Sequence, residues 1–297
     1  MHRAADSGSP RASWERLAHV LTNVGDLSYR RRIQSIAEYL DPKPEQRILD
    51  LGAGEGFVSL ALREAFGCRI VALDAAPPIL HQGIDRDVHG SRHVWLLGDG
   101  AQLPFRDGSF DGVVCSEVLE HVEDDTAVVR EIARVLKSGS VAALTVPCAN
   151  YPALWDPLNW VRERLGLGHF SPDSGFWGGL WAMHLRLYRP DEFRRAVASD
   201  ERLEVTHLEG LTRWCLPFNH MLLWTGKQLY GRLPESSAAY RSMEKFEYSR
   251  TPHRRLSLNP ITWGLRLMQA IDRRNDTLRD PLGPSTNLAI RAVRRSP

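Results

Sequence analysis

The chain has 297 residues, of which 43% are hydrophobic and 25% are charged, and its formal net charge is +2. This composition excludes a disordered chain, a collagen-like repeat and a small disulfide-dense protein. The length allows a single large α/β domain or two small ones. The four cysteines (Cys68, Cys115, Cys148 and Cys215) lie far apart without a C-x-x-C pair. Their placement predicts buried, reduced thiols in a cytoplasmic protein.

The charge is divided unevenly along the chain. Residues 241–297 contain twelve Lys and Arg against five Asp and Glu, a net charge of +7, so residues 1–240 carry −5. A basic C-terminal part favours contact with an anionic surface such as phospholipid, nucleic acid or a phosphorylated substrate. A solvated basic face without a partner explains the composition equally well.

The sequence offers no membrane-spanning or secretory pattern. Residues 1–13 are small and polar, which predicts a disordered N-terminus without a secretory signal. The longest apolar-rich stretch, 214–230, is interrupted by Pro217 and Lys227 and falls short of the ~18–20 apolar residues that span a bilayer. We therefore expect a cytoplasmic protein, whose membrane contact, where present, is peripheral at the inner face.

Short apolar strands alternate with helices along the first half of the chain, which predicts a parallel sheet covered on both faces. The predicted strands are 47–51, 69–74, 93–97, 110–115, 141–146, 203–208 and 286–293. The predicted helices are 14–40, 57–66 and 126–136, with a further helix beginning at Arg189–Phe193. Lys137-Ser138-Gly139 is a typical stop for the helix at 126–136.

The strand at 47–51 runs into a glycine-rich loop. Gly52, Gly54 and Gly56 allow the backbone to approach a ligand and to turn sharply into a helix. The dinucleotide fingerprint requires a third glycine where Phe57 stands, which disfavours a nicotinamide-binding protein. No Gly-Lys-Ser/Thr follows, so the loop is not a P-loop.

Three acids lie at or near the carboxyl ends of the first three predicted strands. Asp74 is placed to accept hydrogen bonds from two ribose hydroxyls, and Asp99 from an adenine amino group. Asp50 lies inside the end of the first strand. Each acid alone could be a turn or cap residue, but three at this edge indicate a ligand site.

These motifs resemble the class I S-adenosylmethionine-dependent methyltransferases, especially the group with the ubiquinone- and menaquinone-pathway enzymes. The similar segments are 48–56, 73–74, 98–105, 109–111, 115–121 and 130–139, with a weaker match at 184–193 and in the last two strands. The resemblance implies a Rossmann-like α/β fold. This fold has a seven-stranded, mostly parallel sheet with an antiparallel last strand and helices on both faces.

The resemblance also implies how S-adenosylmethionine would bind. Gly52, Ala53, Gly54 and Gly56 would hold its methionine part, with Asp50 near the amino group. Asp74 and Ala75 would contact the ribose, and Asp99, Gly100 and Ala101 the adenine. Cys115 and Ser116 would lie under the sulfonium.

Methyl transfer to a hydroxyl requires a base, for which His121 and His184 are the candidates by position; each could instead be structural. Some relatives bind Mg²⁺ or Zn²⁺ through an E-x-x-E-H pattern and a later histidine. The corresponding residues here are Glu117, Glu120 and His121, with His184 as the later histidine. If the segment were helical, the first three would share one face. The pattern also occurs without a metal, which is the interpretation we favour.

The chain is predicted to form one domain over 14–297, with a cofactor-binding core at 28–150 and two insertions. The aromatic insertion, 151–184, either lines an apolar acceptor pocket or fills a small core of its own. The helical insertion, 213–280, contains two amphipathic stretches. These either pack against the domain or a second copy in a homodimer, or contact a membrane.

The sequence therefore predicts an S-adenosylmethionine-dependent methyltransferase. Its acceptor would be a medium-sized, partly apolar small molecule or lipid-like compound methylated on oxygen, such as a quinone or isoprenoid, a natural product or a lipid-linked glycan. A nucleic-acid substrate is disfavoured, because no base-flipping motif follows the fourth strand. The alternatives are a non-catalytic relative that binds the cofactor or a partner, and a nicotinamide-dependent oxidoreductase.

Overall fold

Seven strands form one sheet in the computed structural model, which describes residues 10–21, 24, 26–87, 93–230, 232, 260–277 and 281–296. The strands are β1 Arg47–Leu51, β2 Arg69–Asp74, β3 His93–Leu97, β4 Phe110–Ser116, β5 Leu136–Pro147, β6 Leu203–Gly210 and β7 Asn287–Arg294. No disulfide joins the four cysteines, all of which lie in the described part of the chain, and Cys68, Cys115 and Cys148 are buried, as expected from their apolar surroundings.

The helices flank this sheet and occupy both insertions. They are α1 Pro10–Val20, α2 Leu27–Leu40, α3 Phe57–Phe66, α4 Pro77–Arg86, α5 Asp125–Val135, α6 Pro157–Arg164, α7 Pro190–Val197, α8 Asn219–Tyr230 and α9 Pro260–Asp272. Within the described part of the chain, no helix has the length and apolar character needed to cross a bilayer.

The strand order is β3-β2-β1-β4-β5-β7-β6. The first five strands pair in parallel, whereas β7 is antiparallel to both β5 and β6. Chain order therefore reverses between β1 and β4, and open α/β sheets bind ligands at the carboxyl ends of the strands at such a point. The predicted fold class is confirmed.

Alternating side chains of the strands build a core on each face of the sheet. Ile48 of β1 packs in one core with Leu17 of α1 and Ile36 of α2. Its neighbour Leu49 packs in the other core with Ile132 of α5. Strands buried on both faces explain why these runs are uniformly apolar.

Four local expectations were wrong or incomplete. Residues 10–13, predicted to be disordered, begin α1, while residues 1–9 lie outside the described part. The helix predicted over 14–40 is two helices, because α1 ends at Val20 and α2 begins at Leu27. The helix predicted to stop at Gly139 ends at Val135, and Gly139, with φ +76°, lies within β5. Helix α4 had not been predicted.

The start of α2 is attached to the start of β7. Ser28 Oγ donates to Asn287 Oδ1 over 2.5 Å and lies 3.1 Å from Thr286 Oγ1. All three side chains are buried. This contact joins two elements that are more than 250 residues apart in the sequence.

Candidate functional site

The glycine loop is fixed by backbone hydrogen bonds to the neighbouring strand. The amides of Gly52 and Ala53 both donate to the Leu73 carbonyl, over 2.8 and 3.0 Å. Gly52 has a φ of +71°, and a Cβ there would lie 2.2 Å from Cγ2 of Val118. Glycine is therefore required both by the backbone angle and by the close approach.

Asp74 is positioned by the amides of the loop that it faces. Its Oδ2 accepts from Gly54 N and its Oδ1 from Ala76 N, each over 2.8 Å. The side chain remains partly exposed, so each oxygen keeps a lone pair for a further donor. Asp99 is exposed and accepts from Ala101 N over 2.9 Å, which fixes the turn at Gly100. Ala75 is exposed beside Asp74.

A cavity of about 270 Å³ opens at the point where chain order reverses. The predicted site residues Asp50, Gly52, Ala53, Gly54 and Ser116 line it. The remaining lining residues are Asp26, Tyr29, Arg32, Glu55, Phe57, Val58 and Glu117. The structure thus brings five predicted residues together around one space of ligand size.

Asp50 lines this cavity and is almost fully buried, with 2% of its surface exposed. Its Oδ2 accepts from Ser59 Oγ over 2.6 Å. Burial raises the pKa of Asp50 to about 7, although the hydrogen bond from Ser59 opposes the shift. An ammonium group near Asp50 would favour the ionised carboxylate.

Cys115, unlike its neighbour Ser116, is not among the residues that line the cavity. Cys115 packs in the same apolar core as Val113, and burial raises the pKa of its thiol well above the usual value. Side chains alternate along a strand, so Ser116 faces the cavity and Cys115 does not. Ser116 Oγ lies 2.9 Å from Thr145 Oγ1 of β5.

Helix α2 supplies the part of the cavity that the sequence did not reveal. Asp26 caps the helix by accepting from Tyr29 N over 3.1 Å. The ring of Tyr29 stacks on Phe57, at 5.4 Å between centroids, and Arg32 lies 4.9 Å above the Tyr29 ring. No local motif marks these residues, because their proximity to the glycine loop arises only from the packing of α2.

Glu117 joins α2 to the sheet. Its Oε2 lies 2.6 Å from Nη1 of Arg32 and accepts from Asn287 Nδ2 over 2.8 Å. Its Oε1 accepts from Thr145 Oγ1 over 3.0 Å. Glu117 has a φ of +58°, an uncommon backbone angle for a residue other than glycine.

A second polar cluster lies beside the turn after β4. Nε2 of His121 and Nε2 of His184 lie 3.8 and 4.0 Å from Oε1 of Glu120. Nδ1 of His121 lies 3.0 Å from the Met183 carbonyl oxygen, and Nδ1 of His184 lies 2.6 Å from that of Leu180. If each Nδ1 donates to its carbonyl, both Nε2 atoms carry a lone pair towards Glu120.

Glu120 itself is fully buried, and neither of its carboxyl oxygens has a hydrogen-bond partner. Burial and the nearby Glu117 raise the pKa of Glu120 well above its usual value. Burial, together with His121, lowers the pKa of His184. Glu120, His121 and His184 could hold a metal ion, since their ligand atoms all lie within 4.8 Å of one another.

The structure separates Glu117 from the other residues of the E-x-x-E-H pattern. Residues 117–121 form a turn rather than a helix, so their side chains do not share a helical face. Glu117 is occupied by Arg32 and Asn287 and is not part of the cluster. The later histidine, His184, is part of the cluster with Glu120 and His121.

The aromatic insertion has a core of its own. Tyr151, Trp155, Leu180 and Leu187 are buried together, with Trp160 and Trp181 packed against them. Asp156 is 3% exposed and accepts hydrogen bonds from Asn159 Nδ2 and Leu180 N. Other aromatic groups of the insertion, such as Trp177, remain exposed.

The helical insertion packs in part and exposes the rest. Asn219 of α8 and Met268 and Ile271 of α9 line a small cavity with Trp155 and Ser28, so both helices contact the domain. Several large apolar side chains of the two helices or the residue before α8 stay exposed. They are Phe218, Leu222, Trp224, Trp263 and Leu267. Residues 233–259, and the side chains of Leu229, Ile261 and Leu265, lie outside the described part.

Comparison with known proteins finds similarity in the first half of the chain. Residues 49–144 match a family described as "Methyltransferase domain". A demethylmenaquinone methyltransferase from Corynebacterium glutamicum is 38% identical over 131 residues, 43% of this chain and 53% of that protein. A ubiquinone biosynthesis O-methyltransferase from Xanthomonas oryzae is 38% identical over 97 residues, 31% of this chain and 39% of that protein.

The chain thus spans about half the length of the Corynebacterium relative that it matches. A solved structure that covers more of the chain is geranyl diphosphate C-methyltransferase from Streptomyces coelicolor, in complex with Mg²⁺, geranyl diphosphate and S-adenosyl-L-homocysteine. It has a TM-score of 0.51 and 16% identity, covering 88% of this chain and 78% of that one. At this identity the likeness shows the fold.

Proposed function

We propose that this chain, whose residues 49–144 match a family described as "Methyltransferase domain", transfers the methyl group of S-adenosylmethionine to a small molecule. The observation that carries the proposal is the 270 Å³ cavity lined by the glycine loop, Asp50 and Ser116. Because the sulfonium is already activated, the residues of such a site mainly align the acceptor and exclude water.

Calorimetry with S-adenosylmethionine and S-adenosylhomocysteine tests this proposal. Gly54→Arg should abolish binding, because its side chain would enter the cavity from a loop position with a φ of +56°. Gly139→Arg is the matched control, since Gly139 has a φ of +76° and open space around its Cβ position. Binding of NADH without binding of S-adenosylhomocysteine would contradict the proposal and support an oxidoreductase. Cofactor binding without methyl transfer to any acceptor would support the non-catalytic alternative.

For the acceptor we propose a medium-sized, partly apolar molecule methylated on oxygen. The aromatic side chains that the insertion after β5 leaves exposed, such as Trp177, support an apolar acceptor. The Xanthomonas relative is named an O-methyltransferase of ubiquinone biosynthesis, and the Streptomyces structure contains an isoprenoid diphosphate. Transfer of a radiolabelled methyl group to fractions of a cell extract, followed by identification of the labelled atom, would test both points.

We propose His121 and His184 as the candidates for the base that removes the acceptor proton. His184 is supported by its lowered pKa, which leaves the imidazole neutral at pH 7. If His184 is the base, activity should persist below pH 6.5 and fall as the pH drops through the lowered pKa. A profile of kcat/KM against pH that His184→Asn leaves unchanged would exclude this role.

A bound divalent cation is the second role that the cluster supports. The unpartnered carboxyl oxygens of Glu120 fit this role, as do the two imidazoles oriented through Nδ1. Such a cation would supply Lewis-acid polarisation of an acceptor oxygen. Metal analysis of the purified protein decides between the two roles. If the protein contains one metal ion per chain and Glu120→Gln removes it, the cluster binds a cation. If no metal ion is bound after incubation with Zn²⁺ or Mg²⁺, the role of a base remains for the two histidines.

We further propose that residues 213–280 make peripheral contact with a membrane. The exposed Trp263 and Leu267 on α9, close to the basic Arg273 and Arg274, support this proposal. Co-sedimentation with anionic vesicles should be lost in high salt and in the Trp263→Ser, Leu267→Ser variant. Absence of binding, together with a dimeric mass in solution, would instead assign these side chains to a homodimer interface.

A further inference from the structure

Three side chains at the carboxyl ends of β4 and β5 form a chain of hydrogen bonds that begins at the cavity. Ser116 lines the 270 Å³ cavity and pairs with Thr145 across the two parallel strands. Ser116 Oγ lies 2.9 Å from Thr145 Oγ1, which in turn donates to Oε1 of Glu117 over 3.0 Å. Thr145 is 1% exposed, so the middle of this chain is closed to solvent.

The protons of this chain point in one direction. Oε2 of Glu117 forms an ion pair with Arg32 and accepts from Asn287 Nδ2, so Glu117 is bound as a carboxylate that only accepts hydrogen bonds. The hydroxyl of Thr145 has one proton and gives it to Glu117. Ser116 therefore donates its own proton to Thr145, and it turns lone pairs towards the cavity. A ligand meets Ser116 as a hydrogen-bond acceptor.

The backbone fixes this chain before a ligand binds. The amide of Glu117 donates to the Thr145 carbonyl over 2.9 Å, which holds the residue after β4 against β5. Glu117 has a φ of +58°, and backbone strain of this kind is concentrated at functional sites. A group that is oriented in advance loses less conformational freedom when its ligand arrives.

The methyl acceptor is the ligand that supplies the matching donor. In the proposed complex the cofactor's ammonium group lies near Asp50 and its ribose hydroxyls near Asp74, while its carboxylate and its sulfonium have no proton to donate. We propose that Ser116 Oγ accepts a hydrogen bond from the hydroxyl group of the methyl acceptor. Thr145 and Glu117 are then positioning residues, because they keep the Ser116 proton out of the cavity. This inference rests on the proposed function.

Such a hydrogen bond orients the attacking atom. With its proton directed to Ser116, the acceptor oxygen keeps its lone pairs for the methyl group, and a near-linear displacement requires this alignment. The hydrogen bond does not remove the proton, which remains the task of the base. A carbon nucleophile has no comparable donor, so Ser116 favours acceptors whose reacting atom carries a hydroxyl proton.

A contact between Ser116 and the cofactor is the competing explanation, because the ammonium group could also donate to its lone pairs. The two explanations differ in what a loss of the hydroxyl changes. A cofactor contact lowers the affinity for S-adenosylhomocysteine. An acceptor contact lowers the rate of methyl transfer and leaves that affinity unchanged.

Two measurements on the same variants test the proposal. One is calorimetry with S-adenosylhomocysteine, and the other is transfer of a radiolabelled methyl group to the extract fraction that the wild-type chain labels. Ser116→Ala and Thr145→Val should each lower the rate of label transfer at saturation about tenfold, as expected for one lost hydrogen bond. The affinity for S-adenosylhomocysteine should stay as in the wild-type chain.

Two further variants distinguish the hydrogen-bond chain from a structural role of its members. The double variant Ser116→Ala, Thr145→Val should be no slower than Ser116→Ala, because both substitutions interrupt the same chain. Thr145→Ser keeps the hydroxyl and should restore the rate. Thr206→Val is the matched control, since it removes a threonine hydroxyl that donates to the Arg291 carbonyl in the edge strand β6. It should change neither measurement.

Several results would overturn the assignment. A loss of affinity for S-adenosylhomocysteine of about tenfold or more in Ser116→Ala would assign the hydroxyl to the cofactor. Transfer at the wild-type rate by Thr145→Val, or a double variant whose loss is the product of the single losses, would show that no chain acts. Label on a carbon atom of the product would overturn the assignment and leave methyl transfer standing. A wild-type chain that labels no fraction would instead contradict the proposed function itself.

Discussion

Gly56 and Gly139 have almost the same backbone angle, with φ of +77° and +76°, but different surroundings. A Cβ on Gly56 would lie 2.1 Å from Cη2 of Trp95, whereas nothing lies within 4 Å of the corresponding point on Gly139. Gly139→Ala should cost only the left-handed backbone penalty, about 1–2 kcal/mol. Gly56→Ala should cost about 1–3 kcal/mol more, because the added methyl overpacks against Trp95.

Urea denaturation of the two variants measures this difference. The double variant Gly56→Ala, Trp95→Leu should be less affected by the glycine substitution than the single variant, since the indole ring is removed. Equal losses of unfolding free energy for Gly56→Ala and Gly139→Ala would show that the glycine loop can shift away from Trp95.

Asp50 should make cofactor binding depend on pH. Its pKa of about 7 means that the folded chain holds a proton on Asp50 between about pH 4 and pH 7, where the unfolded chain does not. The Asp50 contribution to stability is therefore lost as the pH rises through this window. A cofactor ammonium next to Asp50 requires the ionised form. The affinity for S-adenosylhomocysteine should then increase about tenfold from pH 6 to pH 7.5.

Calorimetry across this range measures the change. Asp50→Asn should bind weakly with little dependence on pH. Asp74→Asn should bind S-adenosylhomocysteine weakly at each pH but keep the same increase in affinity with pH, because Asp74 contacts the ribose in the proposed complex. A wild-type affinity that stays constant would place the ammonium away from Asp50.

The site residues that could be predicted from the sequence are those that lie close together along the chain or at the ends of neighbouring strands. The glycine loop, Asp50 and Asp74 fall in this class. Tyr29 and Arg32 could not be predicted, because they reach the cavity only after α2 has packed, and Asn287 reaches Glu117 only after β7 has packed. Cys115 was expected at the cavity because the alternation of side chains between the two faces of the sheet was not applied to the last residues of β4, Cys115 and Ser116.

At the scale of elements, Asp156 organises the aromatic insertion. Its carboxylate accepts from Asn159 Nδ2 and Leu180 N, and so connects α6 to the segment before His184. Asp156→Ala should destabilise the insertion by about 2 kcal/mol, since buried donors lose a charged partner. On heating, the near-ultraviolet circular dichroism signal of the insertion's tryptophans should disappear at a lower temperature than the far-ultraviolet signal of the sheet.

The exposed Asp173 provides the control within the same insertion, and Asp173→Ala should change stability by less than about 0.5 kcal/mol. A single transition at an unchanged temperature for Asp156→Ala would show that the insertion does not depend on this carboxylate.

Elements with an apolar run between polar ends were predicted to the residue, as for β1, β2 and β3. Helix α4 was missed because it lacks an apolar stripe: its buried residues are Leu80 and Gly83. Gly83 packs under Trp95, where a Cβ would lie 2.5 Å from the ring. Because Gly83 has no side chain, its contact with Trp95 leaves no hydrophobic periodicity in the sequence.

At the scale of the molecule, the last strand joins two parts of the sheet. β7 lies between β5 and β6 and pairs with both. A chain that ends before Ser285 should lose both ladders and show no cooperative unfolding transition in urea. Removal of only the last two residues should leave the transition in place. A cooperative transition in the shorter chain would show that β1 to β5 fold independently of β7.

The position of Asn287 also bears on synthesis. This residue, near the C-terminus, holds Glu117 in the middle of the chain and, with Thr286, holds Ser28 near the N-terminus. A nascent chain on the ribosome has made the glycine loop and Asp74 long before Asn287 emerges. We therefore expect the half-made protein to lack the braced Arg32–Glu117 pair. The nascent chain should gain full affinity for S-adenosylmethionine only after β7 has emerged from the ribosome, so that earlier folding intermediates do not bind the cofactor.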